Sequence, residues 1–277
     1  MIKLKSSIRQ IILILTGIMA ISILPTIINE VWQILSGFFS LANLVYVNPI
    51  SEVERELFPF FWNAYEYSLG VFFAALFFSL LTAIIVLFFY FLLGRPFQLV
   101  VDLISFIFNS LPDIFIIVGS QLLVVWLFKK TGVFLFDFVA LGEDRAYLLP
   151  ILCLSILPTM YFIKTLTVLM KEEFEKQYVE LAKSKGVSYF RILFVHVFRN
   201  TIISLAYHGK NVMWLMLSNL LILEYLFNML GVTTFLFSYN TPTLFAVTSV
   251  LLFIPIYIFM KLVQRAANSM TGNEVEL

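Results

Sequence analysis

Residues 66–93 read EYSLGVFFAALFFSLLTAIIVLFFYFLL, and no charged side chain separates Glu66 from Arg95. About 20 apolar residues carry a helix across the ~30 Å hydrocarbon core of a bilayer, each adding ~1.5 Å. The stretch therefore predicts a membrane-spanning helix. The rest of the chain has the same character: 61% of its residues are hydrophobic, 13% are charged, and its mean hydropathy is +0.97. An ordinary soluble domain carries roughly 45–50% apolar and about 25% charged residues, so this inventory cannot cover a water-facing surface. The expected fold class is all-α, a polytopic membrane protein. A net charge of +1 and a pI of about 7.8 give no basic or acidic excess to attract nucleic acid or an acidic partner. The single cysteine, Cys153, excludes an internal disulfide and a thiolate metal cluster and reads as a packing residue.

Working outward, six segments are long and apolar enough to span, roughly Ile8–Ile28, Glu66–Leu93, Leu99–Phe128, Tyr147–Leu169, Thr201–Leu223 and Thr243–Leu262. The first follows Lys3, Lys5 and Arg9 as a signal peptide would. Its run is long and no small-residue cleavage site follows, so it reads as a spanning helix. Lysine and arginine are retained on the cytoplasmic side. With the N-terminus inside, only Arg55, Lys129, Lys130 and Arg145 fall outside, so both termini are expected in the cytoplasm of a bacterial cell with the chain in the inner membrane. The organisation expected is an N-terminal helix and extracellular loop over 1–65, then a transmembrane domain over 66–277.

One cytoplasmic loop is long and polar: Met170–Asn200, MKEEFEKQYVELAKSKGVSYFRILFVHVFRN. Phe174, Tyr178, Leu181 and Ala182 recur at spacings of three and four, an apolar stripe on a charged helix. Gly186 supplies the residue that a left-handed helix end prefers. A second amphipathic stretch begins near Ser188, with Phe190, Leu193, Phe194 and Val197 on its apolar side. From spacing alone such a loop either rests on lipid headgroups or meets a partner.

The residues add more. Tyr178-Val179-Glu180-Leu181-Ala182-Lys183-Ser184-Lys185-Gly186, then His196-Val197-Phe198-Arg199-Asn200, resembles the EAA-loop signature of binding-protein-dependent ABC importer permeases, most like the dipeptide, oligopeptide and nickel branch. Glu224-Tyr225-Leu226-Phe227-Asn228-Met229-Leu230-Gly231 resembles that family's Glu-x-x-Phe-x-x-Pro-Gly-x-Gly element, and Ser110-Leu111-Pro112-Asp113-Ile114-Phe115 its Ser-Ile-Pro-x-Phe stretch. Together these cover roughly Gly94 to Arg265. Leu181 replaces the middle alanine of the triplet, and Leu230-Gly231-Val232 lacks the proline and second glycine.

The resemblance implies a type I importer permease forming a translocation pathway for a small solute, a peptide or a nickel or other metal chelate. It implies a second permease subunit, homologous or identical, two cytoplasmic ABC ATPases and an extracytoplasmic substrate-binding protein, in a lipid bilayer. No Walker A sequence occurs, so ATP and Mg would be bound by the partner ATPases and this chain would have no catalytic residue, cofactor or metal of its own. Tyr178, Glu180, Leu181, Ala182, Gly186, His196, Arg199 and Asn200 are then the expected ATPase-coupling residues, with Tyr178, Leu181 and Ala182 as the contact face.

Within the spans, Asp102, Ser105, Asn109 and Asp113 are expected on one helix face, and Ser204, His208, Asn211 and Ser218 on another. Two readings stand: hydrogen bonding between helices, or lining of the pathway by Asp102, Asn109, Asp113, His208, Asn211 and Glu224. Lys210 lies off its neighbours' face and either snorkels toward the cytoplasm or pairs with Asp102 or Asp113. The alternative class is a secondary transporter using those intramembrane Asp and Lys residues as an ion relay.

Overall fold

A computed structural model describes residues 28–37, 39, 44–47, 53–133, 136–140, 144–233, 237 and 241–271. The expected first span therefore lies outside the described residues except for Ile28. The rest is mostly helical, as expected for an all-α membrane protein, with one short two-stranded hairpin. In chain order there follow α1 over 28–37, a hairpin of β1 (Val45–Val47) and β2 (Glu54–Glu56), α2 (Leu57–Leu92), α3 (Arg95–Ser110) and α4 (Asp113–Thr131). Then come α5 (Leu148–Phe174), α6 (Gln177–Ser184), the single turn α7 (Tyr189–Arg191), a π-helical stretch Ile192–Phe198, α8 (Arg199–Leu226) and α9 (Pro242–Thr271). Among the described residues, four helical segments are long and apolar enough to cross a membrane: Phe60–Leu92, Asp113–Thr131, Leu148–Phe174 and Pro242–Ser269.

Two expected spans differ. The apolar run Leu99–Phe128 is broken at Leu111 and Pro112, both extended, so amphipathic α3 ends and α4 begins afresh. Proline lacks the N–H that a continuing helix needs, and its ring forces the preceding residue toward extended backbone. Asp102, Ser105 and Asn109 thus share α3, while Asp113 opens α4; the expected four-residue face does not exist. α8 is one 28-residue helix over the expected fifth span. It is less apolar than the four above because Arg199, His208, Lys210, Asn211, Asn219 and Glu224 interrupt it. Its most extensive neighbour is α5, and its Leu205, Val212, Met216 and Leu220 are buried in the shared core.

The described residues fall into two compact units, one within Met1–Trp62 and Phe235–Leu251, the other within Asn63–Thr234 and Leu252–Leu277. In the first, the hairpin pairs Val45 with Glu56, Tyr46 with Arg55 and Val47 with Glu54, and buried Tyr46 stacks on Phe60 at 6.1 Å. In the second, α2 presents Ser68, Val71, Ala75, Ser79 and Ala83, all fully buried. Small residues on such a face let helix backbones approach closely where no hydrophobic effect acts between helices.

Candidate functional site

The loop between α5 and α8 is built on two backbone devices. α6 ends at Lys185, and Gly186 follows with φ +72°, the left-handed conformation the sequence predicts. Gly186 N–H donates to Lys183 O at 3.0 Å and Val187 N–H to Ala182 O at 3.1 Å. These are the two bonds of a Schellman cap, and the accompanying apolar contact joins Val187 to the cluster containing Ala182. Beyond the cap, α7 continues through the π-helical stretch directly into α8. Arg191 and Arg199, which flank it, are both in helical conformation. The second half of the loop is therefore an extension of α8 and not a free helix.

Between these halves Met170, Val179, Ala182, Ile192, Leu193 and Val197 form a buried cluster, flanked by Phe91, Phe174, Tyr178 and Phe198. Beside it Glu173, 5% exposed, collects polar partners. Tyr178 OH donates to Glu173 Oε1 at 2.5 Å and Asn200 Nδ2 to the same oxygen at 3.0 Å, while Lys176 Nζ lies 2.6 Å from Oε2. Asn200 Nδ2 also reaches Tyr178 Oη at 3.1 Å, and His196 O stands 3.3 Å from that hydroxyl. The hydroxyl has one proton, and the shorter contact to a carboxylate takes it. Burial and the bond to Glu173 push the Tyr178 phenol up to about 12, so it donates at any physiological pH. Phe174 stacks on Tyr189 at 5.9 Å, and Tyr189 OH donates to Phe91 O at 3.2 Å, tying the loop to the end of α2.

The residues of the expected contact face divide between the two sides of α6. Tyr178 and Ala182 point inward and Val179 is fully buried, whereas Leu181 is 55% exposed and shares the outer surface with Glu180, Lys183, Ser184 and Lys185. The reason is a break at Glu175–Lys176, where Lys176 is extended with ψ 145°. Phe174 belongs to α5, so its spacing to Tyr178 and Leu181 does not run along one helix. His196 is half-buried and Arg199 exposed.

A second polar cluster closes the far end of α8. Glu224, 1% exposed, accepts Ser68 OH at 2.5 Å, Thr233 N–H at 2.9 Å and the Thr233 hydroxyl; Val232 N–H donates to Ser68 Oγ at 2.8 Å. Phe227 is fully buried, Asn228 takes the left-handed φ of 52°, and a Cβ on Gly231 would overlap the Glu224 carboxyl. Glu224, Phe227 and Gly231, the residues shared with the family element, are thus parts of one fastener. Enclosed in this way, Glu224, one of the residues expected to line the pathway, is buried within this chain.

The profile of the family described as binding-protein-dependent transport system inner membrane component matches residues 69–269. The chain belongs to that family. It is the permease subunit of an ABC importer, and membership implies ATPase and substrate-binding partners. The loop over 170–200 and the Glu224–Gly231 fastener both lie inside the matched region. None of the curated proteins matches this permease.

The remaining expected pathway residues of the permease are scattered. Asp102 and Asn109 are exposed on α3, and Asn109 Nδ2 donates to Ser105 O at 2.7 Å, satisfying its own helix end. Asp113 sits in the first turn of α4, where the helix dipole favours a carboxylate. It borders a small space with Cys153 and Asn219. His208 is half-buried, and Asn211 Nδ2 donates to Tyr161 OH at 3.3 Å. Among the described residues Lys210 forms no ion pair with Asp102 or Asp113.

Sequence reasoning missed Glu173, Val179, Ser68, Thr233 and Asn219. For Val179 a signal was present, since it sits three residues before Ala182 as an inward neighbour would.

Proposed function

We propose that the permease couples to its ATPases through the outer surface of α6. Glu180, Leu181, Lys183, Ser184 and Lys185 would dock in a groove of one ATPase, in an importer of two permeases, two cytoplasmic ATPases that bind ATP and Mg, and one external binding protein. The observation that carries this is the division of labour across α6. Its inner side is sealed by the Val179 cluster and the Glu173–Tyr178–Asn200 network, while Leu181 stands exposed on a charged surface. A helix fastened so firmly on one side transmits a push on the other to α5 and α8 as a rigid lever, and only a contact that differs between inward-open and outward-open states can shift their populations.

In this reading the loop and both termini are cytoplasmic, the transmembrane domain runs over 66–277, and Arg199 and His196 orient the second half of the loop. The solute is a peptide or a metal chelate, as the likeness of the Tyr178–Gly186 and His196–Asn200 segments to the peptide and nickel branch suggests. Reconstitution tests the assignment. Vesicles holding the permease pair, ATPases and binding protein should accumulate solute only with ATP. Permease vesicles that carry solute down an ion gradient without the ATPases would instead establish the ion-relay transporter.

A further inference from the structure

Helices α2, α5, α8 and α9 border a groove of about 430 Å³. Its wall is apolar, with Phe73 and Phe77 from α2, Phe162 from α5 and Phe259 from α9, and it contains one charged residue, Lys210 of α8. Beside Lys210 the wall has no side chain at all: a Cβ on Gly209 would meet nothing within 4 Å. The size falls in the range of roughly 300–1,000 Å³ that holds a small ligand.

Two features define the occupant. Apolar walls gain dispersion contacts from whatever packs against them, and in a bilayer the material at hand is an acyl chain. Lys210 is exposed and, among the described residues, pairs with no carboxylate. A lone cation within a transmembrane helix is costly to hold in hydrocarbon, and an anionic partner offsets that cost. Lys210 stands 11 residues beyond Arg199, roughly 16 Å along α8 at ~1.5 Å per residue. Helical Cβ bonds tilt toward the N-terminus, so its stem starts toward the end of α8 that carries the coupling loop, and a snorkelling ammonium comes closer to the headgroups of that leaflet.

We propose that this groove binds an anionic phospholipid, with one acyl chain among Phe77, Phe162 and Phe259 and the phosphate accepting hydrogen bonds from the Lys210 ammonium. A zwitterionic lipid would set its own cation near Lys210 and is the poorer fit. The site is independent of ATPase docking, and lipid retention reads it directly.

The test uses the purified full-length permease in mixed micelles containing equal dioleoyl-phosphatidylglycerol and dioleoyl-phosphatidylcholine, with retained lipid counted by native mass spectrometry. One phosphatidylglycerol should be retained with roughly fivefold preference, the factor that one cation near a headgroup supplies. Lys210→Gln should bring the preference to parity and Lys210→Arg should restore it. Gly209→Leu, which puts a good helix former into open space, should keep the thermal unfolding temperature while lowering retention of both lipids. Equal retention of the two lipids by the parent, or an unchanged preference in Lys210→Gln, overturns the proposal. Loss of transport in Gly209→Leu with lipid retention unchanged would reassign the groove to the transported solute and overturn it equally.

Discussion

Replacing Gly186 by valine separates backbone conformation from side-chain contact. Gly186 has φ +72° and a Cβ there would meet nothing within 4 Å, so no clash enters the cost. Valine can hold the left-handed conformation at about 1–2 kcal/mol. Alternatively it leaves that region and forfeits the Gly186–Lys183 and Val187–Ala182 bonds, each worth about 1 kcal/mol net. Either route costs about 2 kcal/mol, a roughly 30-fold fall in the population of the capped loop. Asparagine, which visits the left-handed region readily, should cost a fraction of that. The assay is recovery of the ATPases on purification through a tagged permease, with ATP-driven transport and limited proteolysis of 170–200 alongside. We expect Gly186→Val to reach normal membrane levels, recover little ATPase and transport near background, and Gly186→Asn to stay close to the parent. Parent-level recovery and transport for valine, or equal damage by asparagine, would show that the left-handed cap at Gly186 does not set the loop's docking geometry.

Three further outcomes follow from the same geometry. Glu173→Ala strips Tyr178 and Asn200 of their shared acceptor and should lower loop stability by about 1–3 kcal/mol, while Glu173→Gln keeps an acceptor and should lose less; thermal unfolding and loop proteolysis measure both. The exposed Lys176 partner adds little to that loss. Gly231→Ala forces a Cβ onto the Glu224 carboxyl and should cost about 1–3 kcal/mol, whereas Gly70→Ala in α2 faces open space and should gain about 0.5–1 kcal/mol, seen as opposite shifts in Tm. Engineered cysteines at Arg55 should react with an impermeant reagent in intact cells and those at Glu180 only after permeabilisation; the reverse pattern would invert the orientation.

Much of the architecture is legible because it rests on simple quantities. Apolar runs of sufficient length predict α2, α5 and α9 to within a helix turn or two at most ends, and Gly186 announces its own conformation. The failures have local causes. Leu111-Pro112 lies inside an apolar run, and the run hides a break that the proline alone would signal. The inward and outward sides of α6 depend on the kink at Glu175–Lys176, which resets the helical phase and gives Leu181 to solvent and Val179 to the core. Glu173 stands beside Glu172 and two before Glu175, three equivalent carboxylates in sequence, and only the approach of Tyr178 and Asn200 in space selects one. The π-helical stretch has no sequence period to reveal it. Glu224 looks like any polar residue at a helix end until Ser68, 156 residues earlier, is brought to it.

If α6 docks as proposed, it meets an ATPase through its Leu181 side and not through Val179 or Tyr178. Photo-crosslinking amino acids placed singly at Val179, Glu180, Leu181 and Ser184 in the assembled importer test it directly. Crosslinks to the ATPase are expected from positions 180, 181 and 184, changing in yield when ATP is bound, and none from 179. Absence of ATPase crosslinks from all three outer positions, or a crosslink from 179 equal to theirs, would contradict it.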